Sequence, residues 1–171
     1  MDKRWILIII ILIAGVSTLY LIANESIEIG KAITTIDNVI ITLPDDFKIT
    51  GQDKISVEMT NRNSNEKMSI ELIKEKNKAE ELMENKLQEL RSENVINIED
   101  STENISNLTV YSITYQNIDS DTPVNYSVNY INKLNKTFII TTSNYVNNDS
   151  QLNDLTQIIE TLRLDFKVKD K

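Results

Sequence analysis

Apolar and polar residues alternate along several stretches in the middle and C-terminal parts of the chain. A period of two is typical of strands that bury one face. Alternation predicts strands at residues 55–60 and 68–72 with a polar hairpin loop at 61–66, and a β-branched strand at 39–43 ends before the turn signal Pro44. Four more strands are predicted at residues 95–99, 108–115, 124–131 and 136–143, the last two joined by a short loop around 133–135.

Two segments follow the helical period instead. Over residues 77–92 the apolar residues recur every three or four positions, and charged residues occupy the opposite face. Asn77 is the predicted N-cap of this helix. A second helix is predicted at residues 150–164, with Asp149 or Ser150 as its cap.

The order of these elements is three strands, a helix, four strands and a helix (βββαββββα). Loops of hairpin length favour a mainly antiparallel sheet of about seven strands with two packed helices, which is an α+β domain. We place this domain at residues 37–165, after a short linker at 25–36 and before a charged tail at 166–171. No long Gly- or Pro-rich stretch divides it.

The N-terminal segment differs from the rest of the chain, because residues 5–23 contain no charge. At about 1.5 Å per residue, nineteen helical residues span roughly 28 Å, close to the hydrocarbon thickness of a bilayer. Lys3 and Arg4 precede the apolar run, so the positive-inside rule keeps the N-terminus in the cytoplasm. We therefore expect a transmembrane anchor at residues 1–24 of a single-pass cell-membrane protein, with the C-terminal domain outside.

Two alternatives to an anchor remain open. A cleaved signal peptide would have an apolar run of about 7–15 residues followed by a small-x-small site. The run here is longer, and Leu21 stands where a small residue belongs. A buried core helix is the other alternative, but no other segment would cover a helix so uniformly apolar.

The composition restricts the chemistry. The 171 residues include no His and no Cys, which removes the commonest general base, disulfides and thiolate sites. The chain has no G-x-S-x-G, P-loop or G-x-G-x-x-G motif. We therefore expect a protein that is not an enzyme and holds no cofactor. A net charge of −8 also argues against a nucleic-acid partner.

Tyrosines form the main candidate binding feature. Tyr111 and Tyr115 share one face of a predicted strand, and Tyr126 and Tyr130 share one face of the next. Cross-strand aromatic rings can line a groove for a peptide or a glycan. The alternative is that the rings pack beneath a helix with their hydroxyls at the rim.

Asparagine-rich loops suggest two further kinds of site. Six N-x-[ST] sequons begin at Asn24, Asn104, Asn107, Asn125, Asn135 and Asn148. Of these, Asn104, Asn107, Asn125 and Asn135 are candidate glycosylation sites in a cell that reads sequons. Residues 119–122 and 147–150 carry oxygen ligands, but neither follows the calcium-loop pattern, so we predict turns and no metal site.

Two segments resemble known PsbP-like domains. Residues 39–47 (VIITLPDDF) resemble the strand, proline turn and aromatic residue that open those domains, and residues 154–164 look like their final helix. Thr161-Leu162 stands where that helix usually ends in Ser-Phe. The resemblance covers about residues 36–165. It implies an α/β/α sandwich used mostly for binding or for supporting larger assemblies, and seldom for catalysis.

Together these observations predict a membrane-anchored extracytoplasmic binding or accessory domain of a prokaryote. It would contact the membrane through residues 5–23 and a protein partner at the membrane or envelope. Two other hypotheses are a hydrolase or transferase of envelope material that uses carboxylates or a Ser–Lys pair, and a secreted domain with a cleaved signal peptide.

Overall fold

A computed structural model describes residues 33–76, 78–118, 123–145 and 148–164. All of them belong to one compact unit assigned to residues 32–171. The predicted anchor and the charged tail lie outside the described residues. No helix within the described ranges has both the length and the apolar character that crossing a membrane requires.

The described residues form ten strands and two helices. The strands are β1 (Ile33–Ile36), β2 (Val39–Thr42), β3 (Phe47–Gln52), β4 (Ser56–Asn61), β5 (Lys67–Ile73), β6 (Val95–Ile105), β7 (Leu108–Asn117), β8 (Val124–Lys133), β9 (Lys136–Ser143) and β10 (Arg163–Leu164). The helices are α1 (Ala79–Leu90), between β5 and β6, and α2 (Asn148–Thr161), between β9 and β10.

Seven strands form one antiparallel sheet in the order β3-β4-β5-β9-β8-β7-β6. This sheet and the two helices confirm the predicted α+β class. The predicted hairpins are also present, since β4 pairs with β5 and β8 with β9. The β8–β9 turn is Leu134-Asn135, whose φ angles of 56° and 58° are the left-handed values of a tight two-residue hairpin.

The membership of the large sheet differs from the prediction in one strand. The segment predicted at residues 39–43 is β2, which lies in a separate three-stranded sheet of order β1-β2-β10. The seventh strand of the large sheet is β3, which has no alternating pattern because only Phe47 is buried in it. β1 begins at Ile33, inside the segment predicted as a linker.

The two helices pack on opposite faces of the large sheet, which we call the α1 face and the α2 face. On the α1 face, the helix buries Ala79, Met83 and Leu90 against a cluster that includes Ile113 and Val128. On the α2 face, helix α2 and the small sheet bury a larger core. That core includes Ile41, Val57, Met68, Ile70, Ile131, Phe138, Ile140, Leu155 and Ile158.

Each packing layer covers only part of the sheet. Helix α1 lies over β7, β8 and β9, so the α1 face of β4 and β5 keeps exposed side chains such as Glu58, Lys67 and Glu71. On the α2 face the exposed part is at the other end of the sheet, where Glu99 and Ser101 of β6 face solvent. The fold therefore leaves two open regions, one on each face.

The ends of the helices also differ from the prediction. The N-cap position of α1 is Lys78 rather than Asn77, and its side chain makes no capping hydrogen bond. Instead, the Ala79 N–H donates to Asn132 Oδ1 at 3.3 Å. The second helix begins at Asn148, which puts Asp149 in its first turn rather than at its cap, and it ends before β10.

Candidate functional site

The four candidate tyrosines all project to the α1 face. Tyr111 lies opposite Tyr130 and Tyr115 opposite Tyr126 in the register of β7 and β8. The rings of Tyr115 and Tyr126 stack with centroids 5.2 Å apart and an interplanar angle of 13°. Offset stacking at this distance is the favourable geometry for aromatic pairs.

Burial separates these tyrosines into two groups. Tyr130 is only 3% exposed, and desolvation raises the pKa of its hydroxyl far above its usual range. Tyr111 and Tyr115 are partly buried and pack against the apolar cluster beneath α1. These three tyrosines thus belong to the packing layer under the helix. Tyr126 lies at the edge of that layer, so it is the member of the set best placed for a binding role, which stays a prediction.

Beside Tyr126, the uncovered part of the α1 face forms a groove of about 470 Å³. We call this region the open face. Hydroxyl groups dominate it, since Ser69 pairs with Thr141 and Lys67 with Ser143 across β5 and β9. Its side chains are those of Thr50, Glu58, Thr60, Lys67, Ser69, Tyr126, Thr141 and Ser143. The open face thus combines the ring of Tyr126, the charges of Glu58 and Lys67, and a row of hydroxyl groups. This combination suits contact with a polar protein surface.

A second concavity, of about 290 Å³, lies on the α2 face near the start of α2. We call it the polar cleft. Its lining includes Glu99, Thr114, Gln116, Asn125, Ser127, Thr142, Tyr145 and Gln151. Of the residues that the sequence singled out, Tyr115, Tyr126 and Asn125 also lie in this lining. The other hydroxyl and amide residues were not predicted, because on a strand they look like its solvent-facing side.

Hydrogen bonds from Asn129, which lies beside the polar cleft, and from Gln151 hold two of its lining residues, Ser127 and Thr142. Asn129 accepts a bond from Ser112 Oγ at 2.8 Å, and its amide donates to Ser127 Oγ at 3.2 Å and to the Ile140 carbonyl at 3.3 Å. Gln151 Nε2 of α2 donates to Thr142 Oγ1 at 2.6 Å. Buried polar groups need such partners, and here they also hold the lining side chains in place.

Tyr145, in one wall of the polar cleft, forms a half-buried acid–phenol pair with Asp154. The Tyr145 hydroxyl donates to Asp154 Oδ2 at 2.9 Å, and its ring stacks on Phe47 with centroids 6.4 Å apart. Desolvation raises the pKa of Asp154, while the hydrogen bond from Tyr145 opposes that rise. Desolvation and the neighbouring Asp154 charge also raise the pKa of the Tyr145 hydroxyl.

The other predicted sites are placed as follows. Asn104, Asn107, Asn125 and Asn135 are all exposed, and their glycosylation stays a prediction. Within the described ranges, no three His, Cys, Asp or Glu residues come together in a way that could hold a metal ion. Residues 119–122 lie outside those ranges.

Sequence comparison finds no matching family model and no matching curated protein. Comparison of structures does find similar folds. The solution structure of cyanobacterial PsbP (CyanoP) from Synechocystis matches 81% of this chain and 95% of its own, with a TM-score of 0.51 and 8% identity. The fold is PsbP-like.

A crystal structure from Bacteroides thetaiotaomicron is also similar. It matches 82% of this chain with a TM-score of 0.57 and 13% identity. The chain spans half the length of that protein. At these identities the similarity concerns the PsbP-like fold alone.

Proposed function

We propose that this protein is a binding or accessory domain held at the outer surface of a membrane by residues 5–23. It acts by binding rather than by catalysis, and it supports a membrane or envelope complex through a protein partner. The observation that carries the proposal is the open face, where none of the described helices or strands covers one end of a PsbP-like sheet.

The chemistry of the open face favours a protein contact. Ser69, Thr141 and Ser143 are half-buried on rigid, central strands, so their hydroxyls are held at fixed positions. Lys67 and Glu58 add one charge of each sign at the edge. Tyr126 supplies an amphipathic ring of the kind that anchors protein interfaces.

The proposed anchor would hold the open face at the outer surface of the membrane. An apolar segment without charges, preceded by Lys3 and Arg4, favours an outward C-terminal domain. Tethering a domain to a membrane raises its effective concentration near membrane partners, so a weak contact at the open face is sufficient.

Site-specific photo-crosslinking tests the contact. A photoreactive amino acid would replace Thr141 of the open face in the full chain, and a matched variant would carry it at Gln88, which is exposed on α1. We expect one defined crosslinked product at Thr141, lost when Tyr126 is changed to Ser. Crosslinks of equal yield at both positions, or none at Thr141, would overturn the proposal. Tyr130 is unsuitable as a probe, because a change there would disturb the core.

The anchor needs a separate test. Carbonate washing should leave the full chain in the membrane, and protease added to intact cells stripped of their outer layers should cleave the C-terminal domain. A mature protein whose N-terminus lies beyond Met1 would instead support the secreted alternative.

A further inference from the structure

The lining of the polar cleft includes two buried polar side chains, Ser127 and Thr142. Further along the same face, the cross-strand pair Val110–Ile131 is apolar and fully buried. Towards the start of α2 the next three pairs of β7 and β8 on this face are all polar: Ser112–Asn129, Thr114–Ser127 and Gln116–Asn125. Of these six residues, Ser127 and Asn129 are buried, where an apolar side chain would need no hydrogen-bond partner.

The floor of the cleft is built as a fixed hydrogen-bonding surface. Ser127 and Thr142, which line the cleft, are 7% and 1% exposed, and Asn129 beside them is 3% exposed, so all three are nine-tenths buried or more. Asn129 and Gln151 orient Ser127 and Thr142 through the bonds given above. Such preorganised groups lose little conformational entropy when a ligand binds.

One donor in this floor has no acceptor among the residues that the structure describes. Ser127 Oγ accepts a hydrogen bond from Asn129, and its own proton is donated to none of these residues. A hydroxyl both donates and accepts. Since Ser127 lines the cleft, this proton is available to an acceptor of a bound molecule.

The lining defines the class of that molecule. The side chains of Gln116, Asn125 and Gln151 each offer both a carbonyl acceptor and an amide donor, which matches a ligand rich in hydroxyl groups. Among the described lining residues there is no Lys or Arg, and Glu99 would repel an anion. A volume of about 290 Å³ suits a ligand of about one or two sugar rings.

We propose that the polar cleft binds a neutral saccharide, with Ser127 donating a hydrogen bond to it and the three amides contacting its hydroxyls. Most of the cleft lining lies on the face opposite the open face, but Tyr126 and Ser143 line both sites. The saccharide proposal rests on Ser127 and the three amides, which do not line the open face, so it does not depend on the proposed protein contact.

Titration followed by NMR tests this proposal on the full chain in a detergent without a sugar head group. The probes are maltotriose, cellotriose and the β-1,4-linked trimer of N-acetylglucosamine. We expect at least one of them, at millimolar concentration, to shift the amide resonances of Ser127 and Gln151 in a saturable way. Glucose and glucose 6-phosphate are also titrated as a neutral and a charged monosaccharide. Glucose 6-phosphate should bind more weakly than glucose, because Glu99 repels its phosphate group.

Two matched variants give the decisive comparison. Ser127→Ala removes the donor and should weaken binding about tenfold, as expected for the loss of one hydrogen bond. Ser69→Ala removes a similar hydroxyl from the open face and should bind as the wild type does. The proposal is overturned if no trisaccharide shifts the cleft resonances, if Ser127→Ala binds as tightly as the wild type, or if Ser69→Ala weakens binding equally. Crosslinking at Thr141 is measured separately, so either proposal can fail while the other stands.

Discussion

The turn between β1 and β2 offers a clean test of how the small sheet is held in place. Asp37 lies in this turn, with Lys136 Nζ 2.5 Å from its Oδ2 and Lys74 Nζ 3.2 Å from its Oδ1. Its φ angle is 41°, a left-handed value that Asn adopts as readily as Asp. Asp37→Asn therefore removes the charge and leaves the turn geometry possible.

The exposure of the partners sets the expected magnitude. The side chains of Asp37 and Lys136 are 25% and 19% exposed, whereas that of Lys74 is 66% exposed. Hydrogen bonds to charged groups contribute about 1.5–3 kcal/mol and fully exposed ion pairs less than about 1 kcal/mol. We expect Asp37→Asn and Lys136→Met each to lower the free energy of unfolding by about 1–2 kcal/mol, and Lys74→Met by a few tenths of a kcal/mol.

The effect should depend on pH in a defined direction. The hydrogen bond from Lys136 is the main cause that lowers the pKa of Asp37 below its ordinary value of 3.8, while burial opposes this slightly. A lowered pKa in the folded state gives stability that is complete above that ordinary value and is lost as the pH falls through the folded-state pKa. The deficit of Asp37→Asn should therefore be full at neutral pH and disappear in strong acid.

Urea unfolding of the full chain in detergent, followed by the near-ultraviolet circular dichroism of the tyrosines, measures these differences. The double variant Asp37→Asn/Lys136→Met should lose no more than either single variant, because both remove the same interaction. The reasoning is refuted if Lys74→Met costs as much as Lys136→Met, or if the Asp37→Asn deficit persists in strong acid.

Two further predictions concern a helix cap and a half-buried acid. Asn132→Ala removes the acceptor of the Ala79 N–H and should lower the free energy of unfolding in urea by about 1–2 kcal/mol. Asn132→Asp keeps an acceptor and should lower it less. Equal losses for the two variants would contradict this cap. Desolvation raises the pKa of Asp154, so its charge destabilises the fold above that pKa. Asp154→Asn should therefore stabilise the protein at neutral pH by up to about 1 kcal/mol. This gain should vanish below pH 3.8, the ordinary pKa of the carboxyl group. A variant less stable than the wild type at neutral pH would contradict this reasoning.

The sequence predicts the parts of this fold in which burial is one-sided and local. Met68, Ile70 and Leu72 alternate with polar residues because β5 buries one face, and the α1 stripe is equally regular. β3 gives no such signal, since it is an edge strand with a register shift between Ile49 and Gly51. The sequence does not predict β10, for a different reason. Its two residues, Arg163 and Leu164, directly follow the apolar stripe of α2, and only their pairing with Ile40 and Val39 makes them a strand.

The candidate sites were less predictable than the fold. Alternation assigns Tyr126 and Tyr130 to one face and Ser127 and Asn129 to the other, which the register confirms. It does not say which part of either face a helix covers. Tyr130 is buried beneath α1, and Asn129 is buried on the other face of the same strand, near α2. The sequence could not distinguish the buried polar residues Ser127 and Asn129 from residues that face solvent.

The strand order of the large sheet has a consequence for how the chain folds. β3-β4-β5 and β6-β7-β8-β9 are two runs of consecutive hairpins, and they meet only at the pairing of β5 with β9. Within each run the contacts are local, so the loop-closure entropy of each step is small. The β5–β9 seam joins Lys67 to Ser143 and must close across the whole intervening chain. We therefore expect formation of this seam to limit the rate of folding, and its buried apolar pairs, such as Ile70 with Ile140, to couple the unfolding of the two runs.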